Sequence, residues 1–312
     1  MTQTEAPKIK RKMHVKQRGN ALGLWFFEMM LRIFGLKGAY LLLELVCLYY
    51  VFFDREASRT SLAYIEKRFP SDSLLKKYWH VYRLFVSQGR QLIDRHVIAR
   101  KPKFFRYQET GTEECLRVLH QSQKGVVLLT SHVGNWQVAL RQLGGHLLKN
   151  ICVVMRPEDN PAMQAALQFG VEAQAIRLIN PESHLGGVLE MMQALQEGCV
   201  VCIMGDRGYG FDTLEVPFLG HNARFPYGAF LIAAATGSPV MPLFTHKISE
   251  REYIADVSHI WYPVYTRSED KKVQLAKWVG DYVKQLEIFV EKNPYECFLF
   301  HQVWVEEKRS SQ

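Results

Sequence analysis

From residue 124 onward the chain alternates short β-branched runs with helical segments, and this alternation constrains the fold more than any other feature. VVLLT at residues 126–130 reads as a buried strand by its length and composition. A helix is expected over 135–148, a strand over 151–155, a helix over 162–169 and a short strand over 175–179. Residues 183–197 read as a helix closed by Gly198, followed by the buried strand 199–204. Residues 227–236 form the next expected helix, ending at Gly237. Strands are expected over 240–246 and 252–259, and a last helix over 269–291 stops before Pro294. This pattern predicts an α/β domain, an open and mostly parallel sheet flanked by helices on both faces. In such sheets the site lies at the carboxyl ends of the strands. That rule singles out Ser131-His132, Arg156 and Asp206-Arg207, each directly after an expected strand.

The region ahead of this domain has a different texture. Residues 1–18 hold Lys8, Lys10, Arg11, Lys12, Lys16 and Arg18 against Glu5, a local +5. The formal total is +8, so residues 19–312 carry only +3. Such an arm suits an anionic partner, either nucleic acid or a membrane surface. The following residues favour the membrane. Sixteen residues between Lys37 and Asp54, GAYLLLELVCLYYVFF, contain Glu44 as their one charge. As a helix they measure about 24 Å, short of the roughly 30 Å hydrocarbon core. Residues 21–34 are also apolar but carry Glu28 and Arg32. Two helices meeting over residues 35–38 predict an N-terminal apolar helical hairpin lying in or dipping into one leaflet. Trp25, Tyr49 and Tyr50 would then sit at headgroup level. The bland alternative packs this hairpin on the domain as ordinary core. No aromatic residues interleave the basic arm, so no nucleic-acid partner is expected. The chain thus divides into a basic arm (1–19), a membrane-associated hairpin (20–55), a helical segment (56–109) and the α/β domain (110–308).

The apolar fraction of 48% and charged fraction of 22% exclude a disordered chain. Six cysteines, mostly inside apolar runs, read as buried thiols in a reducing compartment. Cys199 and Cys202 have metal-like spacing, but strand alternation sends them to opposite faces. No second pair accompanies them, and no metal constellation appears. Gly205, Gly208 and Gly210 do not match the dinucleotide fingerprint. His184, His221 and His246 are scattered and read better as core or surface than as pocket residues.

Ser131-His132-Val133-Gly134-Asn135-Trp136-Gln137 is the sharpest constellation. It places a histidine between a strand end and a helix N-terminus, where backbone N–H groups are available to an oxyanion or phosphate. Residues five apart on one helix point about 140° away from each other. His132 must therefore precede the first helical turn for residue 137 to reach it. A capping or core histidine is the alternative reading.

These residues, 130–136, resemble the His-x4-Asp/Glu signature of the lysophospholipid acyltransferase superfamily. The similarity is to the branch of late lauroyl and myristoyl acyltransferases of lipid A biosynthesis and their bacterial relatives. It extends through Val154-Met155-Arg156-Pro157 with Asn160-Pro161, Gly205-Asp206-Arg207-Gly208-Tyr209-Gly210, and Val216-Pro217-Phe218-Leu219-Gly220. Arg68-Phe69-Pro70 and Trp304 also fit, so the likeness covers roughly residues 18–305.

The resemblance implies transfer of an acyl chain from acyl carrier protein or acyl-CoA to a hydroxyl or amine of a lipid acceptor, with no metal or other cofactor. It implies work on an anionic membrane surface, at the cytoplasmic face of the bacterial inner membrane. His132 would be the general base, and N–H groups of residues 133–136 would stabilise the oxyanion. Arg156 and Arg207 would hold anionic groups by bidentate contacts or form structural ion pairs, and Asn135 and Tyr209 would contact substrate. The family's orienting carboxylate falls at position 137, where this chain has Gln. Three readings stay open: another acid, Asp206 before Glu158, supplies the charge; Gln137 orients weakly; or the fold holds lipid without turnover.

Overall fold

The computed structural model describes residues 21–122, 124–144, 150–156, 176–208, 212–300 and 302–305. The chain divides into two compact units, Met1–Leu45 and Val46–Gln312.

Helix α1 (Ala21–Phe53) is broken at Gly35, where φ 65 and ψ −161 leave helical geometry. Glycine enters that region without a Cβ penalty. The turn expected over residues 35–38 is thereby narrowed to one residue, since Leu36, Lys37 and Gly38 are helical. The charges of Glu28 and Arg32 do not end the helix. Glu28 and Arg32 pair across one turn at 2.8 Å. Counted across the break, Trp25–Phe53 runs 29 residues, long and apolar enough to cross a bilayer by length and composition. The break at Gly35 divides this stretch into apolar helices over 21–34 and 36–53, in keeping with the expectation of two helices meeting over residues 35–38.

In the second unit Asp54 caps α2 (Arg55–Arg68), its carboxylate accepting from Ala57 N at 3.0 Å. Helix α3 (Leu74–Arg100) buries Val81, Leu84, Ile93 and Ile98, and with them the polar side chains of Gln91 and Asp94. The α/β part follows in the order β1 (Arg106–Thr110), α4 (Thr112–Gln121), β2 (Val126–Thr130), α5 (Trp136–Gly144), β3 (Ile151–Val154), β4 (Arg177–Ile179), α6 (Val188–Gln196) and β5 (Val200–Met204). It continues with β6 (Thr213–Phe218), β7 (His221–Pro226), α7 (Gly228–Thr236), β8 (Val240–Pro242), β9 (Phe244–Ser249), β10 (Glu252–Asp256) and α8 (Lys271–Lys292). The helix expected over 162–169 lies outside the described residues, as do residues 145–148 of the helix expected from 135.

Five strands form a parallel sheet in the order β4-β3-β5-β2-β8. Alternation along each strand gives the sheet two apolar faces. Val127, Leu129, Val201 and Ile203 pack with side chains of α6, α7 and α8, among them Leu195, Phe230 and Val283. Val126, Leu128, Val200 and Cys202 pack on the other side with Leu119 of α4 and with Trp136 and Leu140 of α5. Cys199 joins the first core and Cys202 the second, and all six cysteines are buried and unpaired by disulfides.

The strand expected over 240–246 is two strands. Pro242, which has no N–H to donate, ends β8, and Leu243 N donates to Leu129 O at 2.9 Å before β9 turns into a separate sheet. That second sheet has the order β1-β10-β9, and β6 and β7 form a hairpin.

Candidate active site

His132 and Asp206 meet because β2 and β5 are neighbours in register. Thr130 is paired with Met204, and each strand is followed two residues later by one of these side chains. The chain leaves β2 for β3, past β5, and leaves β5 for β8, past β2. The crevice between their carboxyl ends is thus a topological switch point, where open α/β sheets place their ligands.

The Asp206 side chain is fully buried at 0% exposure, and that of His132 is 22% exposed. Asp206 Oδ2 accepts from the backbone N of His132 at 2.9 Å. His132 Nδ1 lies 3.0 Å from both carboxylate oxygens. An ionised carboxylate only accepts hydrogen bonds, so Nδ1 is the nitrogen that donates, and in the neutral ring this leaves the lone pair on Nε2. The arrangement is an imidazole with a fixed tautomer, an anion behind it and solvent access in front.

The turn that presents His132 is clamped from two sides. Gly134 has φ 52, and a Cβ there would stand 1.5 Å from the Thr245 carbonyl oxygen. Its N–H donates to Glu296 O at 2.8 Å, and Phe298 N donates to His132 O at 2.7 Å. Of the N–H groups expected to receive an oxyanion, that of Gly134 is therefore already used. Beneath the turn, the hydroxyls of Ser131 and Tyr282 are hydrogen-bonded, and Tyr282 donates to Thr130 O at 3.3 Å. Burial and the charge of Asp206 push the Tyr282 phenol and the Cys297 thiol well above their ordinary values, so both stay neutral.

Asn135 is fully buried, and its side chain is directed to α3. Its Oδ1 accepts from Arg95 Nε at 2.8 Å and its Nδ2 donates to Gln91 O at 3.3 Å, which ties the start of α5 to α3. Gln137 is buried in the first turn of α5. Arg156 follows β3 and pairs through Nε with Glu182 Oε1 at 3.1 Å, a partner that sequence reading does not name. Arg207 is half-buried next to Asp206. Tyr209, Glu158 and Asp159 lie outside the described residues, as does the side chain of His184. His221 is exposed on the hairpin, and His246 is half-buried on β9 with burial holding its imidazole below the ordinary value. Among the described residues no three His, Cys, Asp or Glu side chains gather as a metal site.

Sequence reading missed Tyr282, Arg95 and the 296–298 segment. The one legible signal was on α3, where Gln91, Asp94 and Arg95 interrupt an otherwise apolar face at helical spacing.

The model of the family described as bacterial lipid A biosynthesis acyltransferase matches residues 8–306. No curated protein matches the chain.

Proposed function

Because the chain belongs to the bacterial lipid A biosynthesis acyltransferase family and is an acyltransferase, we propose that His132 is its general base and Asp206 the acid that orients and charges it. The observation that carries this reading is the buried Asp206 carboxylate at 3.0 Å from His132 Nδ1. It supplies at the sheet rim the negative charge that Gln137 does not.

In this reading an acceptor hydroxyl or amine approaches Nε2 and gives up its proton as its oxygen or nitrogen bonds to the thioester carbonyl carbon. Asp206 stabilises the imidazolium as it forms. The carbonyl oxygen becomes an oxyanion held by N–H groups of Val133, Asn135 and Trp136 at the start of α5. Collapse breaks the carbon–sulfur bond, and the departing thiolate takes the proton from Nε2. The products are an ester or amide and a free thiol on acyl carrier protein or coenzyme A. Arg156 and Arg207 serve anionic groups of the substrates, Arg156 by exchanging its ion pair with Glu182, and Tyr209 contacts substrate. The apolar helix α1 and the basic residues before it hold the enzyme on the anionic cytoplasmic face of the inner membrane, where lipid acceptors reside.

The test is thiol release by the purified protein from acyl–acyl carrier protein or acyl-CoA with a lipid A precursor, and mass spectrometry of the lipid. Turnover with a lipid product heavier by one acyl chain is expected, abolished by His132→Ala without loss of the folded state. Undiminished turnover in that variant rejects the assigned base, and no turnover by the wild type leaves a lipid-holding protein.

A further inference from the structure

A cavity of about 380 Å³ opens in the Val46–Gln312 unit between α3 and the chain that follows α8. Arg83 and Arg90 line it from α3, Lys247 from β9 and Lys292 from the end of α8. Among the described residues Glu296 is the one carboxylate on its wall. Lys247 is partly neutralised by the buried Asp94, with which it pairs. Arg83 stacks over the Tyr295 ring, 5.0 Å from its centroid, which presets its planar fork. Four cations converging on a concavity of this size describe an anion site, and guanidinium groups suit the oxygens of a phosphate.

Gln91 narrows the ligand. It is 1% exposed and lines the same cavity. Its Nε2 donates to Glu296 Oε2 at 2.8 Å, which fixes the amide so that Oε1 is the remaining acceptor. That buried oxygen takes no hydrogen bond from any described residue. A buried acceptor left in this condition is costly, and it asks for an O–H or N–H donor. Fully deprotonated sulfate offers none. Inorganic phosphate near neutral pH, or a phosphomonoester in its monoanionic form, offers both oxygens for the cations and an O–H for the amide. Glu296 is suited to such a neighbour, because burial pushes its carboxyl up to about 7 and so weakens its repulsion of an anion.

We propose that this cavity is a phosphate-binding site, in which Arg83, Arg90 and Lys292 hold the phosphate oxygens and Gln91 Oε1 accepts the phosphate O–H. The proposal does not depend on the acyl-transfer reading, since binding there needs no turnover.

Calorimetric titration of the full-length protein in an uncharged detergent tests it, at pH 7 and constant ionic strength. The probes are inorganic phosphate, glycerol 3-phosphate, sulfate, and micelles doped with phosphatidic acid or phosphatidylcholine. Saturable binding of a phosphate probe to one site is expected, weakened about fivefold by Lys292→Gln and at least twentyfold by Arg83→Gln with Lys292→Gln. Gln91→Met should erase the preference for phosphate over sulfate. Lys292 is exposed at the end of its helix, so its variant folds even where changes deeper in α3 do not. Equal affinity for inorganic phosphate, glycerol 3-phosphate and phosphatidic acid identifies a soluble phosphate ligand, and at least tenfold tighter binding of phosphatidic acid identifies a lipid head group. Absence of saturable binding to every phosphate probe, wild-type affinity in the Lys292 variants, or equal affinity for sulfate in the wild type would overturn the proposal.

Discussion

Replacing Asp206 by asparagine keeps the size of the side chain and removes the charge behind His132. In the wild type Oδ2 accepts from both His132 N and Nδ1, while Oδ1 also lies 3.0 Å from Nδ1. An asparagine oxygen in the place of Oδ2 preserves both acceptor roles, but its NH2 then faces the Nδ1 hydrogen. The tautomer survives in that pose, and the imidazolium of the transition state loses its counter-charge. At an effective dielectric of 20 and about 4 Å between charge centres, that loss is about 4 kcal/mol, or roughly 10³ in kcat. The opposite amide pose turns NH2 toward both donors and costs more, through the wrong tautomer. Initial rates of thiol release at saturating lipid acceptor, with a thermal melt of each preparation, read the effect directly. A folded Asp206→Asn enzyme within threefold of the wild-type kcat would refute the reasoning.

Other perturbations follow from the same geometry. Gln137→Glu adds a carboxylate to a buried position while Nδ1 is already engaged by Asp206. The rate should stay within twofold or fall, and a tenfold gain would show that residue 137 is the orienting site. Gly134→Ala drives a Cβ to 1.5 Å from a carbonyl oxygen at positive φ, so a loss of at least about 2 kcal/mol is expected. An unchanged denaturation midpoint would contradict the clamped turn. The Glu296 carboxyl is raised from 4.5 to about 7 by burial, so the folded protein holds this proton more tightly than the unfolded chain. Its contribution is complete below about pH 4.5 and disappears as pH rises through 7, a change of up to about 3 kcal/mol. Urea titrations across that range should show the decline, and Glu296→Gln should flatten it.

What sequence made legible was local. VVLLT and the run 199–204 announce buried strands because both faces of the parallel sheet are covered, and their ends mark His132 and Asp206 as candidates. That the two ends are adjacent depends on β5 inserting between β2 and β3, a non-local choice with no local signature. The edge strand β1, RYQET, is mostly exposed and carries no apolar periodicity to betray it. The β6–β7 hairpin turns through Leu219 and Gly220, both at positive φ, without the Asn-Gly or Asp-Gly pair that advertises such turns. Asn135 next to the His132 turn reads as a substrate contact, whereas its partners Gln91 and Arg95 lie some forty residues earlier, on a helix whose docking only the tertiary fold reveals.

In the proposed mechanism His132 and Asp206 act as a unit, and comparing kcat for His132→Ala, Asp206→Asn and the double variant measures that most directly. If the carboxylate works only through the imidazole, the double variant is as slow as His132→Ala alone. If instead the two losses multiply, Asp206 acts on the reaction independently of the ring, and the proposed pair is wrong.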